Sequence, residues 1–500
     1  MDSRVRRVPL LGGSRVVLVP VGDDDVVLRP PPSPVHVADV PAAVRDALRF
    51  PLSGPPLEPV APRGGRATIV VQPPALPFPG AQRDVRREAL ASAMRELERC
   101  GIRNERQTLL VAGGLGRRLG YRELERLLPP SEARVFRGRV AVHDAESEEL
   151  VPVSESVRIH PSLVDTDLVL VVGAAETVLH GGPGALVAAC DAATVRSVAG
   201  GSSLLEASGS LAWTLALGVE RALARNVPVL GVSLVLDLPR LTGAFRGYPH
   251  DPEDVRRLAR SWVRAAFSRL PAPIRREVLS SQGRRLDATA AYAGPPSVAH
   301  AEALLRGVEL RGARLQEPVD ALVVGAPWSG PHLPYTATNP VTAASVVLGL
   351  ALRLHRDAFP VSIGGTLVLV HPLSRSFAHA DAPYAAMLAA AREARDPEQL
   401  AEAERDAADD SRALAAYRAG STCHPRLPYA DWAGCAPALS RLGRVIVAGC
   451  RDAHAARALG FVPSRGVTSA LEMAHGVAGG KARVGILLAP PYAPLLVGGP

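Results

Sequence analysis

The chain has 500 residues, more than one ordinary domain holds, so two or three are expected. With 47% hydrophobic and 21% charged residues it can bury a core, which excludes wholesale disorder, and no apolar run reaches the roughly 18 residues of a membrane-spanning helix. The net charge of +8 comes from basic and acidic residues interspersed along the chain, so neither a nucleic-acid nor a membrane partner is expected.

The N-terminus carries an acid at Asp2 and no sustained apolar segment before a cleavage site, so a cytoplasmic address is expected. The first 65 residues are proline-rich around a short helical pattern at 42–48, and read as a tethered lead-in. Ala67 to Val71 is a β-branched run. A loop follows, then a helix whose Leu90, Met94 and Leu97 recur at helical spacing and stop before Gly101. The order repeats with strands at 108–112, 139–142 and 168–172, a helix at 121–128, and a doubly buried strand within 227–236. Strands separated by helices imply parallel pairing, hence an α/β fold.

Between Pro271 and Ser297 the pattern weakens, which places a boundary between domains at 1–275 and 290–500. The second half has candidate strands at 321–324, 366–370, 445–448 and 484–488, with helices starting near Val341, Asp452 and Thr468. Asp396 before Pro397 reads as the cap of one exposed, charged helix running through Tyr417, within an insertion.

Several local motifs sit where α/β sheets place ligands. The turn GGLGRRLG at 113–120 follows a strand, so the backbone of Gly113 and Gly114 can approach a phosphate, and the Arg117 and Arg118 forks match two oxygens of an anion. Taken alone, that turn also permits a dinucleotide-dependent oxidoreductase. His143 and Asp144 lie just past one strand end, and His180 lies in LHGGPG past another. His371 and His379 flank an arginine in HPLSRSFAH, and His424 follows Cys423. None of these spacings is a metal motif, and no GxSxG elbow occurs. The five cysteines form no CxxC pair and read as buried thiols, and the only lysine is Lys481.

Read together, five segments resemble the lactate racemase family: ALRFPLSGPPLEPVAPRGGRATIVV at 47–71, LERCGIRNERQTLLVAGGLGRRLGYREL at 97–124, VAVHDAESEEL at 140–150, DTDLVLVVGAAETVLHGGPGAL at 165–186, and the closing strand–helix–LGF–strand portion from Gly443. The resemblance implies two α/β domains with mainly parallel sheets and an active site in the cleft between them. It also implies a nickel-pincer nucleotide cofactor, and racemisation or epimerisation of a small-molecule 2-hydroxy acid by hydride transfer from the α-carbon to that cofactor and back, with two histidines alternating as base on the substrate hydroxyl.

Carried over by residue, it assigns catalysis to His180 and His143, and binding of substrate or phosphate to Arg117, Gly113, Gly114 and Asp144. Gly116 falls where one catalytic histidine belongs, and Leu186 where the cofactor-linking lysine belongs. A glutamine and a lysine of the family's second domain fall near Thr342 and Ser345 in NPVTAAS. The nickel ligand has no match, since no histidine occurs between His180 and His250. Two expectations follow: a diverged racemase holding its cofactor noncovalently, with bases drawn from His180, His143, His371 or His379, or a non-catalytic relative that binds a small anion or nucleotide in the cleft.

Overall fold

The structure, a computed structural model, describes residues 6–73, 83–120, 123, 127–281, 284–328, 337–394, 397–478, 482–488 and 492–498. Two six-stranded sheets organise it. The first runs Ala288–Gly294, Val229–Leu236, Leu168–Ala174, Ala67–Val71, Gln107–Val111, Arg139–Val142, with only Ala288–Gly294 antiparallel to its neighbour. The second runs Val462–Ser464, Arg444–Ala448, Val361–Val370, Val319–Gly325, Val484–Leu487, Val26–Leu28, parallel throughout. This is the expected α/β fold. The central strands are buried on both faces, which is why they read as continuous apolar runs.

The helices begin where short polar side chains can satisfy free amides. Asp39 accepts from the Ala42 amide ahead of Val40–Arg49, and Asp84 from the Arg86 amide ahead of Val85–Arg99. The charged segment expected as one helix is two, Pro397–Asp409 and Ser411–Arg418, because the Asp410 carboxylate accepts from the Arg412 and Ala413 amides and restarts the helix. Its expected cap, Asp396, lies outside the described residues, as does most of the helix expected at 121–128.

Sheet membership does not follow the expected boundary at 275–290. Ala288–Gly294 closes the edge of the first sheet, while Val26–Leu28 from the lead-in closes the edge of the second. The hairpin Arg6–Gly12 and Arg15–Val21 buries Val8, Leu10 and Val19 against Val323, Val368 and Ile486. The prolines that follow at 30–34 overshadowed this alternating β pattern in the sequence.

The two halves share a core. Leu115, Ala145 and Ala192 of the first half lie in one buried cluster with Val347, Leu427 and Ala430 of the second. The segment read as an exposed insertion supplies the polar part of this junction. Tyr417 is fully buried, and its hydroxyl accepts from the Ala145 amide at 3.1 Å and donates to the Gly114 carbonyl at 3.4 Å. His424 takes the Arg426 amide on Nδ1, so its Nε2 donates to Glu146 at 3.0 Å. Arg196 grips Glu404 through two bonds of 2.6 and 2.9 Å.

Burial also fixes the charge of several histidines. His143, His300 and His371 are buried, and desolvation pushes each from the ordinary 6.5 down to about 4. Below pH 6.5 the unfolded chain protonates these rings, whereas the folded chain resists until about 4. The unfolded state therefore binds more protons across that window, and stability falls as pH drops through it, by about 1.4 kcal/mol per pH unit for each ring. Urea unfolding at pH 7, 6 and 5 is expected to show a steadily falling midpoint, with a smaller fall in His300→Gln. A midpoint independent of pH contradicts the assignment.

Candidate functional site between the two sheets

A cavity of about 220 Å³ opens where loops from both halves meet. One wall is the turn 113–116 at the carboxyl end of Gln107–Val111, together with the loop that leaves Leu168–Ala174. The facing wall comes from 345–353 and 427–434 of the second half. Carboxyl ends of parallel strands are the usual place for ligands in such sheets, because helix starts and loop amides converge there.

His180 is presented to this cavity by a tightly determined loop. Thr177 Oγ1 accepts from the Leu179 and His180 amides at 3.1 and 3.2 Å and contacts His180 Nδ1 at 2.8 Å. With its lone pairs engaged, Thr177 donates its proton to Nδ1, which leaves the ring proton of neutral His180 on Nε2. Gln72 clamps the same loop, accepting from the Gly181 amide at 2.7 Å and donating to the Leu179 carbonyl. Gly181 and Gly182 have φ of +95° and +47°, and at either position a β-carbon would collide with the ring of His300. His300 Nε2 donates to the Thr177 carbonyl at 2.9 Å. Beside it, Arg311 pairs with Glu176 at 2.9 and 3.2 Å, both side chains being buried.

The second feature is Arg353. It is 4% exposed and lines the cavity, yet its Nη1 donates only to the Ala199 and Gly349 carbonyls, and Nε has no acceptor. Among the described residues no carboxylate pairs with it. Desolvation pushes its guanidinium down to about 10, still charged at neutral pH. A buried, unpaired cation costs several kcal/mol, and such groups concentrate where a ligand completes them. Asp431 lines the same wall, its carboxylate taking the Tyr384 hydroxyl at 2.6 Å.

Of the residues picked from sequence, His180, Gly113, Gly114, Gly116 and Ser345 line this cavity. His143, Asp144 and Arg117 do not. His143 is sealed in the core with Nε2 on the Cys190 carbonyl at 2.8 Å, so it serves packing rather than proton transfer in the cavity. Asp144 receives the Glu146 amide and faces Arg118 and Arg418. Arg117 is spent on Glu123 and the Gly420 carbonyl, and Arg118 on the Arg418 and Val142 carbonyls. These groups join the halves together. Leu186 is fully buried beside Val169 and Val171 and does not reach the cavity, so the position carried over for the linking lysine is not a cavity position. His371 lies in a separate pocket, His379 is exposed, and Thr342 is buried outside the cavity lining. Among the described residues His180 is the only histidine lining the cavity, and no cluster of three potential metal ligands occurs. Arg353 was missed because LRLHRD carries no motif, and only burial without a counter-ion singles it out.

Comparison with known proteins agrees with this architecture. Residues 13–182 match the lactate racemase N-terminal domain. The lactate racemase apoprotein from Thermoanaerobacterium thermosaccharolyticum has a similar structure, with a TM-score of 0.60 at 13% identity, covering 98% of this chain and all of that one. A protein from Thermotoga maritima aligns at a TM-score of 0.49 and 11% identity over 93% of this chain and all of its own. Comparison with curated protein sequences gives no match. Among the described residues no helix is long and apolar enough to cross a membrane.

Removing one partner of the buried pair tests how the loop is held. Glu176→Gln leaves Arg311 charged and unpaired, with an expected loss of about 3–5 kcal/mol. Gly182→Ala is expected to cost about 1–3 kcal/mol by overpacking. Both variants should shift the His180 ring signals in NMR spectra. Unchanged unfolding midpoints and unchanged His180 signals would contradict this role of the loop.

Proposed function

From the premise that the chain is lactate racemase-like and carries a lactate racemase N-terminal domain over residues 13–182, we propose that it binds a small 2-hydroxy acid or related anion in this cavity, without a lysine-linked nickel-pincer nucleotide. Arg353 takes the carboxylate and His180 Nε2 faces the hydroxyl. The observation that carries the reading is the buried Arg353 guanidinium, which has unfilled donors and no carboxylate partner among the described residues. A two-oxygen anion satisfies that fork and removes the cost of the unpaired charge.

The residues present do not fit the family's cofactor chemistry. Covalent linkage needs a lysine, and none of the described residues lining the cavity is one, the chain's sole lysine being Lys481. Racemisation by proton and hydride movement needs a base on each face of the reacting carbon, plus a histidine for nickel in this family. The described cavity lining offers His180 as its single histidine, beside the Asp431 carboxylate, and a glycine, Gly116, stands where the resemblance puts a second histidine. The described lining therefore lacks the paired histidine bases that the resemblance implies. What it supports is recognition of an anion and orientation of its hydroxyl.

Calorimetric titration with lactate and a panel of small 2-hydroxy acids tests this reading. Saturable binding is expected, weakened roughly 10- to 100-fold in Arg353→Met, as for loss of a charge-assisted bond of about 1.5–3 kcal/mol. Arg353→Lys should also lose most of the affinity, because burial that leaves a guanidinium charged neutralises an ammonium, and His180→Gln should lose less than Arg353→Met. Thermal unfolding of each variant separates lost contacts from lost fold. Binding absent from the intact protein, or unchanged in a folded Arg353→Met, would overturn the assignment.

A further inference from the structure

A second pocket, of about 100 Å³, lies at the carboxyl ends of the second sheet and shares no lining residue with the cavity above. Its walls come from the turn between the hairpin strands, from helix Ala272–Ser281, and from the segments that follow Val361–Val370 and Arg444–Ala448. Arg15, Arg275, Arg276 and Arg451 all line it, with His371 and Ser374. Among the described residues no acidic side chain lines it, and none of the four arginines lies within ion-pair distance of a carboxylate. Two acids adjoin these arginines in sequence: Glu277, which is exposed and outside the pocket lining, and Asp452, which is committed to Arg375 at 2.6 Å and to the His454 and Ala455 amides.

The pocket is graded from a fixed interior to an open mouth. Arg275 is 4% exposed and is aimed by backbone oxygens, its Nε donating to the Ser14 carbonyl at 3.0 Å and its Nη1 to the Leu270 carbonyl. His371 is buried, and its Nδ1 accepts from the Leu373 amide at 3.1 Å, so the neutral ring carries its proton on Nε2 as a donor. Arg15 and Arg451, at the other extreme, are exposed. The like charges tell on the buried member: after burial itself, the charges of Arg15, Arg451 and Arg276 push the Arg275 guanidinium below its ordinary range. Such a cluster opposes folding unless an anion closes it.

We propose that this arginine pocket is a phosphate site, taking inorganic phosphate or the phosphate end of a small monoester whose remainder projects past Arg15 and Arg451 into solvent. A tetrahedral dianion offers enough acceptors for several guanidinium forks, an imidazole N–H and a serine hydroxyl at once, which a single carboxylate does not. The interior of about 100 Å³ matches the size of a phosphate group, so the remainder of an ester lies at the mouth.

The test is calorimetric titration of the full-length protein with inorganic phosphate and, separately, with glycerol 1-phosphate, at about 0.15 M salt to screen loose surface attraction. Saturable binding of at least one probe is expected, with affinity falling at least tenfold in Arg451→Ala and in Arg15→Ala. Both side chains are exposed and form no ion pair among the described residues, so these variants should keep or raise the thermal midpoint of the unliganded protein. Tighter binding of glycerol 1-phosphate than of phosphate identifies a monoester as the occupant, and the reverse order identifies the free ion. Lactate affinity in the other cavity should be unchanged in Arg451→Ala, which keeps the two sites' tests separate. No saturable binding of either probe, equal binding in wild type and both variants, or equally tight binding of chloride would overturn the proposal.

Discussion

The geometry of the cleft rests on one buried ion pair. Glu176 leaves the strand Leu168–Ala174 and meets Arg311 at the end of helix Pro296–Arg311, both out of solvent. Two charges placed there are tolerated only as partners, so the pair pins the start of the loop after the strand. From there the loop brings Gly181 and Gly182 against His300, sets Thr177 against His180, and places His180 in the cavity lining. Positioning in the cleft is thus inherited from a contact inside the first half rather than made by the cavity walls.

The near absence of lysine gives the charge distribution its character. A guanidinium holds its proton through burial that would neutralise an ammonium, so Arg353 remains charged in a place where lysine would lose its charge. The same property lets arginines converge on the pocket around Arg275 and serve as mechanical ties elsewhere, as Arg117, Arg118 and Arg196 do between the halves.

Much of the fold was legible because buried parallel strands must be apolar and continuous. Ala67–Val71 and Arg139–Val142 fall where the pattern put them, and Leu168–Ala174 and Val229–Leu236 overlap it closely. The N-terminal hairpin and Val26–Leu28 were not, since prolines beside them read as loop while their packing partners lie hundreds of residues away in sequence. For the cleft, the glycines and His180 were visible through their place after strand ends. His143 was misread because a histidine beside an aspartate past a strand looks the same whether it faces solvent or core. Arg353 and the docking role of Tyr417 depend on what lies across the junction, which no local spacing encodes.

The most direct measurement is mass spectrometry, denatured and native, together with elemental nickel analysis, on protein made in a host that supplies the pincer-cofactor synthesis enzymes. The unmodified mass of the chain is expected under both conditions, with no stoichiometric nickel. A cofactor-sized mass retained on the denatured chain, or stoichiometric nickel accompanied by racemisation of a 2-hydroxy acid, would contradict the anion-binding reading of the cleft.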